Sequence, residues 1–209
     1  MDNNVLDYRE RILNKILQCV PLTDQTKVVD IGCGDGGDCE LLSINVKEIV
    51  GIDIDFDANW SKTKNAKIAF SVADVCNLPF PDESFELVFE KDVLHHVEDK
   101  IKASKEILRI TKKGGRIICI EGNRYNPVFY FHMTLMKGHD HFTKSFFTQL
   151  MKTLSKSPDF LSVESRVYPI KNKQLLKLIH YFEDLVEAIP LIRNYSCYNI
   201  SIIKKDKTS

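Results

Sequence analysis

Acidic residues and glycines are concentrated between positions 28 and 38, where the sequence reads VVDIGCGDGGD. Two β-branched residues lead into Asp30, and four glycines and two further aspartates follow it. Glycines allow a tight turn in which backbone N–H groups approach a ligand at the start of a helix. The segment is therefore a candidate ligand-binding loop.

A further acid lies where it could complete the site. Gly32, Gly34 and Gly37 form a GxGxxG pattern. Asp53 lies 23 residues after Asp30, near the end of a second apolar segment. An acid at that place can accept hydrogen bonds from both ribose hydroxyls of an adenosine-containing cofactor. This pattern fits a dinucleotide and S-adenosylmethionine equally well.

The acids of the loop favour a cationic ligand. Asp30, Asp35 and Asp38 would repel the pyrophosphate of a dinucleotide and attract the ammonium and sulfonium groups of S-adenosylmethionine. A charge pair at about 4 Å is worth roughly 1 kcal/mol in water and several kcal/mol at an effective dielectric constant near 20. The loop therefore predicts S-adenosylmethionine as the cofactor, with a NAD-dependent oxidoreductase as a distant alternative.

Short apolar segments that alternate with helical patterns must position these residues. Such alternation implies a parallel sheet with right-handed crossovers. The segment 198–205 alternates and predicts a seventh, antiparallel strand at the far side of the sheet. The predicted strands are 27–31, 48–54, 67–74, 85–89, 116–121, 160–170 and 198–205.

Two helices are predicted in the last third of the chain. Thr143 is a candidate N-cap, with Phe142 and Phe147 as a hydrophobic staple. The second helix ends at Pro190. The predicted inner faces are Phe146, Phe147, Leu150 and Leu154 in the first helix, and Leu175, Ile179, Phe182 and Val186 in the second.

Length, charge and cysteine usage limit the class of protein. The 209 residues suit a single domain over 1–209. The 29 basic and 29 acidic residues balance, whereas a nucleic-acid partner normally requires a basic excess. A polar N-terminus, no long apolar run and six cysteines without a CxxC pair predict a cytoplasmic protein with reduced thiols.

Four segments resemble, in order, the class I S-adenosylmethionine-dependent methyltransferases, in particular the UbiE-like type that acts on small molecules. The resemblance covers roughly 28–121 and implies a Rossmann-like three-layer α/β sandwich, with a mostly parallel seven-stranded sheet and an antiparallel last strand. Residues 122–160 would form a variable substrate cap. The segments are VVDIGCGDGGD (28–38), GIDID (51–55), 71–99 and 106–121.

The resemblance implies roles for individual residues. Asp30 would hold the methionine ammonium, directly or through water, and Asp53 would bind the ribose hydroxyls. Ile54 would pack on adenine, and Asp74 would accept its amino group. The other implied cofactor contacts are Gly32, Cys33 and Gly34 in the loop, Val75 beside adenine, and Glu90 near the methionine part.

Methyl transfer from a sulfonium needs in-line positioning of the acceptor. A general base is needed only where the acceptor must lose a proton early. His96, Glu121 and Tyr125 are the predicted catalytic residues, and a structural role for His96 stays open. The wider set of candidate bases is His95, His96, Glu121, Tyr125, His132, His139 and His141.

Residues 122–142 are rich in aromatic residues and histidine. They would follow the fifth strand, where ligands of this fold class bind, and so predict a lid over an apolar or aromatic small molecule. Core packing and a homodimer surface are alternatives. Glu121, Asn123 and Arg124 are candidate substrate contacts. His139 and His141 are too few for a zinc site, so no metal is predicted.

These patterns together predict a methyltransferase that uses S-adenosylmethionine and acts on a small molecule, with the acceptor atom (O, N or C) left open. One alternative is a protein or RNA methyltransferase. Another is a noncatalytic cofactor-binding subunit that serves a partner.

Overall fold

Seven strands form one sheet in the computed structural model, which describes residues 3–136, 138, 140–168 and 170–206. The strands are β1 (Lys27–Ile31), β2 (Glu48–Asp53), β3 (Ile68–Val72), β4 (Phe85–Lys91), β5 (Thr111–Gly122), β6 (Asp159–Val163) and β7 (Tyr198–Lys204). Their order across the sheet is β3-β2-β1-β4-β5-β7-β6. All pairs among β1 to β5 are parallel, and β7 is antiparallel to both neighbours. The mostly parallel sheet with an antiparallel last strand is confirmed, but β7 lies inside the sheet and β6 forms its edge.

Helices connect these strands. They are α1 (Asn3–Leu17), α2 (Gly37–Leu42), α3 (Lys100–Ile110), α4 (Pro127–Phe129), α5 (Lys144–Leu154) and α6 (Lys173–Ala188). A π-helical segment, Tyr130–Met136, continues α4, and single 3₁₀ turns occur at Ser43–Asn45, Trp60–Lys62 and Ile192–Tyr195. None of the described helices combines the length and the apolar character needed to cross a membrane.

Successive residues of the central strands point to opposite faces of the sheet. Val28 of β1 is buried with Ile12 of α1, whereas the adjacent Val29 is buried with Ile107 of α3 and Phe147 of α5. Parallel strands are normally covered on both faces, because their crossovers place helices there. The chain therefore has three layers, helix, sheet and helix, and the predicted α/β sandwich is confirmed.

The sheet order locates the crevice in which a ligand can bind. From β1 the chain adds β2 and β3 on one side and then crosses to add β4 and β5 on the other. Ligands of open α/β sheets bind beyond the carboxyl ends of the strands at this reversal. The glycine loop, residues 32–37, follows β1, and Asp53 is the last residue of β2. Both sequence motifs therefore lie at the carboxyl ends of the strands.

Helix α5 begins where the sequence predicts, but it buries a different set of residues. The Thr143 hydroxyl oxygen accepts a hydrogen bond from Phe146 N at 3.2 Å, which confirms the N-cap. Phe146 itself is 45% exposed, so its predicted place on the inner face is wrong. The centroid of its ring lies 5.0 Å from that of Phe142. The buried residues of the helix are Phe147, Leu150, Met151 and Leu154.

Removing this cap should have a small and measurable cost. The variant Thr143→Ala should lower the free energy of unfolding by about 1 kcal/mol, because Phe146 N loses its side-chain acceptor. Thr143→Ser keeps a hydroxyl and should leave the free energy of unfolding about unchanged, because serine caps a helix at least as well as threonine. Urea unfolding of the two variants measures the difference, and equal stability of both would show that the hydroxyl does not cap the helix.

Helix α6 is attached to α1 mainly through charged side chains. Arg11 lies 2.9 Å from Glu183, and Lys15 lies 2.8 Å from Asp184. Glu183 is buried, whereas Leu175 and Phe182 are 46% and 56% exposed. The predicted inner face of this helix is therefore wrong at these two positions, because the ion pairs turn the polar side of the helix toward α1.

Candidate active site

A cavity of about 880 Å³ opens at the carboxyl ends of β1 and β2. Part of its wall comes from the segment after β4, including Asp92 and Val93. Six of the predicted site residues, which come from four separate segments of the sequence, therefore line this one cavity. These six lining residues are Gly32, Asp53, Ile54, Asp74, Val75 and His96.

Backbone hydrogen bonds hold the glycine loop against β2. Gly32 N and Cys33 N both donate to Ile52 O, at 2.7 Å and 2.9 Å. Gly32 has a φ of 72°, in the left-handed region that glycine adopts without strain. A Cβ atom at Gly32 would lie 1.9 Å from Cγ2 of Val93. This position therefore requires glycine for its backbone conformation and for the close approach of the next segment.

Asp53 joins the end of β2 to the glycine loop. Its Oδ2 accepts a hydrogen bond from Gly34 N at 2.9 Å. Trp60 supports the same loop, because its Nε1 donates to Gly34 O at 2.8 Å and its ring stacks on Phe70 at 5.0 Å. The sequence did not predict a role for Trp60. Its only signal was that it is the single tryptophan of the chain.

The next part of the cavity wall combines apolar and acidic side chains. Ile54 is 63% exposed and Val75 is 8% exposed. The exposed Asp74 accepts a hydrogen bond from Cys76 N at 2.8 Å, so its carboxylate also caps a turn. This arrangement could enclose an aromatic base and accept a hydrogen bond from its amino group.

Asp30 is buried at the end of β1, outside the set of residues that line the cavity. Its Oδ2 accepts a hydrogen bond from the Cys39 thiol at 3.1 Å. Burial, with a further contribution from Asp38, raises the pKa of Asp30 to about 7. The resemblance implies that Asp30 holds the methionine ammonium either directly or through water. Because Asp30 is buried, the contact through water is favoured.

The other acids of the loop are paired with basic side chains. Arg9 of α1 lies 2.9 Å from Asp35, and Lys91 at the end of β4 lies 3.1 Å from Asp38. Because nearby cations compensate the charge of Asp35 and Asp38, these two acids should repel a pyrophosphate less than the sequence alone suggests. The choice of cofactor must rest on other observations.

Glu90 and Glu121 are fully buried and organise the segment after β4. Glu90 Oε1 accepts hydrogen bonds from Val93 N at 2.8 Å and Leu94 N at 3.2 Å. Glu121 Oε2 lies 2.7 Å from Nδ1 of His95. Burial raises the pKa of both carboxyl groups, and neighbouring acids raise it further. Neither carboxyl lines the cavity, so the structure places both behind its wall.

The predicted catalytic residues do not all share one cavity. The exposed His96 lies on the wall of the large cavity, with its ring centroid 3.9 Å from that of His95. Tyr125 is 50% exposed and borders a separate pocket of about 430 Å³ with Lys144 and Asn194. The structure therefore brings His96, and not Tyr125, next to the residues implied to bind the cofactor.

Two of the predicted polar contacts for substrate, Asn123 and Arg124, bind other parts of the protein. The buried Asn123 donates from Nδ2 to Asn194 O and Ser196 O, both at 2.9 Å. Arg124 forms an ion pair with Asp140. His139 and the side chain of His132 lie outside the described part of the structure.

These features define a three-layer α/β protein with a cavity at the point where the strand order of its sheet reverses. Residues 29–119 match a family described as the methyltransferase domain. This part of the chain, less than half of its length, is therefore similar to a methyltransferase domain, as its motifs suggested.

Comparison with known proteins finds methyltransferases that are similar to part of this chain. Tocopherol O-methyltransferase of Arabidopsis thaliana is 33% identical over 133 residues, which are 57% of this chain and 38% of that protein. The 27-O-demethylrifamycin SV methyltransferase of Amycolatopsis mediterranei is 28% identical over 115 residues, 51% of this chain and 42% of that protein. The chain thus spans less than half the length of both relatives.

A solved structure shares the fold over almost the whole chain. The S-adenosylmethionine-dependent methyltransferase of Mesorhizobium loti superimposes with a TM-score of 0.67 at 16% identity. The match covers 96% of this chain and 100% of that one.

Proposed function

We propose that this chain transfers the methyl group of S-adenosylmethionine to a small molecule. The observation that carries the proposal is the wall on which the Asp53 carboxylate, the exposed Ile54 and Asp74 face one cavity of about 880 Å³. Asp53 would bind the ribose hydroxyls, while Ile54 and Val75 would enclose adenine. The glycine loop would line the methionine part. The bound cofactor supplies a methyl group on a positively charged sulfur.

The acceptor would bind beside the segment after β4. Asp92 and His96 line the same cavity as the cofactor-binding residues. His96 is the candidate base where the acceptor must lose a proton, and Glu121 would act as a positioning residue through His95. The names of the two relatives refer to small organic acceptors, which favours an acceptor of that class. A homodimer and a cytoplasmic location stay predictions.

Binding of S-adenosylhomocysteine tests the cofactor site. Asp53→Ala should weaken its affinity by about 2–3 kcal/mol, since charge-assisted hydrogen bonds to two hydroxyls are lost. The matched control is Asp55→Ala, which removes an exposed acid two residues along the chain. Titration calorimetry of both folded variants measures the change. Unchanged affinity in Asp53→Ala would show that this carboxylate does not hold the ribose.

The methyl acceptor can be assigned to a chemical class directly. The protein is incubated with S-adenosylmethionine labelled on its methyl group and with a cell extract separated into small molecules, proteins and RNA. We expect the label to appear among the small molecules. The same assay with the Asp53→Ala variant should give little label in that fraction. Label on protein or RNA would replace the small-molecule proposal. Cofactor binding without label in any fraction would favour a noncatalytic subunit.

A further inference from the structure

Two histidines and an aspartate from separate segments converge next to the cavity. Asp92 and His95 follow β4, and His141 precedes α5. One ligand atom from each residue lies within 4.8 Å of those from the other two. We propose that Asp92, His95 and His141 form a binding site for a divalent transition-metal ion such as Zn²⁺.

A buried carboxylate fixes the orientation of the first histidine. Glu121 Oε2 lies 2.7 Å from Nδ1 of His95, and Glu121 is fully buried at the end of β5. Metal-binding histidines commonly donate their second ring nitrogen to such a carboxylate, which sets the tautomer and the ring direction. Because Nδ1 of His95 faces Glu121, Nε2 is the ring nitrogen that would bind the metal.

Asp92 is held in an unusual backbone conformation. Its φ is 58°, in the left-handed region that strains the backbone of a non-glycine residue. Its Oδ1 atom is buried and has no hydrogen-bond partner among the described residues. A buried carboxylate oxygen without a donor is costly, and a bound cation would satisfy it.

Gly122, the last residue of β5, leaves space for the second histidine. His141 is 5% exposed, and its ring centroid lies 4.6 Å from that of His95. A Cβ atom at Gly122 would lie 2.7 Å from Nδ1 of His141. The absence of a side chain at Gly122 therefore admits the imidazole ring. The ring of Phe129, stacked at 5.8 Å, lies beside it.

The donor set and its position indicate the class of metal and its surroundings. Two imidazoles and one carboxylate suit Zn²⁺ and similar first-row divalent ions better than Mg²⁺ or Ca²⁺, which prefer oxygen ligands. Three protein ligands leave a coordination position for another molecule. Since Asp92 also lines the cavity, that position would be next to the methyl acceptor. This last step alone rests on the proposed function.

Zinc binding to the metal-free protein tests the site. Calorimetric titration with Zn²⁺ should show about one tight equivalent per chain. His141→Ala should weaken this binding by at least about 100-fold because a ligand is lost, and Glu121→Gln should weaken it by about 10-fold to 100-fold. The matched control is His180→Ala, a histidine of α6 that pairs with Asp7 and Glu183, and it should bind as the wild type does.

A second readout separates the metal site from folding and from the proposed activity. Zn²⁺ should raise the melting temperature of the wild type and of His180→Ala, but not that of His141→Ala. S-Adenosylhomocysteine affinity, measured in parallel, reports on the cofactor site independently. Zinc affinity that is unchanged in His141→Ala, or no tight equivalent in the wild type, would overturn the metal site while leaving the proposed function to its own tests.

Discussion

Replacing Gly32 by alanine should lower the free energy of unfolding by about 3 kcal/mol and strongly weaken cofactor binding. A non-glycine residue at a φ of 72° costs roughly 1–2 kcal/mol. The new Cβ would also lie 1.9 Å from Cγ2 of Val93, whose β-branched side chain is stiff. Displacing such a neighbour typically costs a further 1–3 kcal/mol. Urea unfolding of the apo protein measures the loss.

A neighbouring glycine provides the control for this prediction. Gly34 has a φ of 49°, and a Cβ atom there would meet no heavy atom within 4 Å. Gly34→Ala should therefore lower the free energy of unfolding only through its backbone conformation, by about 1 kcal/mol. Adding Val93→Ala to Gly32→Ala should relieve the steric part of its cost. Equal losses in Gly32→Ala and Gly34→Ala would show that contact with Val93 is irrelevant.

Local sequence patterns predicted β1 and β4 well because local physics determines them, but the predicted strand 160–170 ends at Val163. The β-branched segment Lys27–Ile31 has the predicted bounds, and Phe85–Lys91 extends its prediction by two residues. The acid at the end of β2 lies on the predicted cavity, since its place follows from strand direction alone. Strand order near the C-terminus was less predictable, because periodicity does not indicate which neighbour β7 pairs with.

Contacts between distant side chains could not be predicted from the sequence. Arg9 neutralises Asp35 from a helix that precedes the glycine loop, and no local pattern joins the two. His95 and His141 are separated by 46 positions, and they meet only because the segment after β5 returns to the end of β4. Helix α6 shows the same limit, since its apolar period could not reveal that ion pairs with α1 determine which side is buried.

Asp30→Asn should stabilise the apo protein, and this gain should depend on pH. The pKa of Asp30 is raised by burial from 3.8 to about 7 in the folded protein. Ionising Asp30 therefore costs the folded state up to about 4 kcal/mol relative to the unfolded chain, at about 1.36 kcal/mol per pH unit. Between these pH values the folded state binds more protons, so the wild type loses stability as the pH rises.

The measurement compares Asp30→Asn with the wild type at about pH 5.5 and about pH 8. The difference in unfolding free energy should be about 2 kcal/mol larger at the higher pH. Asp35→Asn is the control. Although burial acts to raise its pKa, the Gly37 N–H and Arg9 hold the pKa of Asp35 below its ordinary value. Asp35 therefore stays ionised over this range, and the difference in unfolding free energy between Asp35→Asn and the wild type should be the same at both pH values.

If the difference in unfolding free energy between Asp30→Asn and the wild type is also the same at both pH values, Asp30 is ionised throughout this range. A cofactor ammonium near Asp30 would favour the ionised carboxylate. The affinity of the wild type for S-adenosylhomocysteine should therefore rise between about pH 6 and pH 8, and that of Asp30→Asn should not. The same residue would thus make the apo protein less stable above neutral pH and the proposed cofactor complex tighter, which is the expected compromise for a buried acid beside a cationic group.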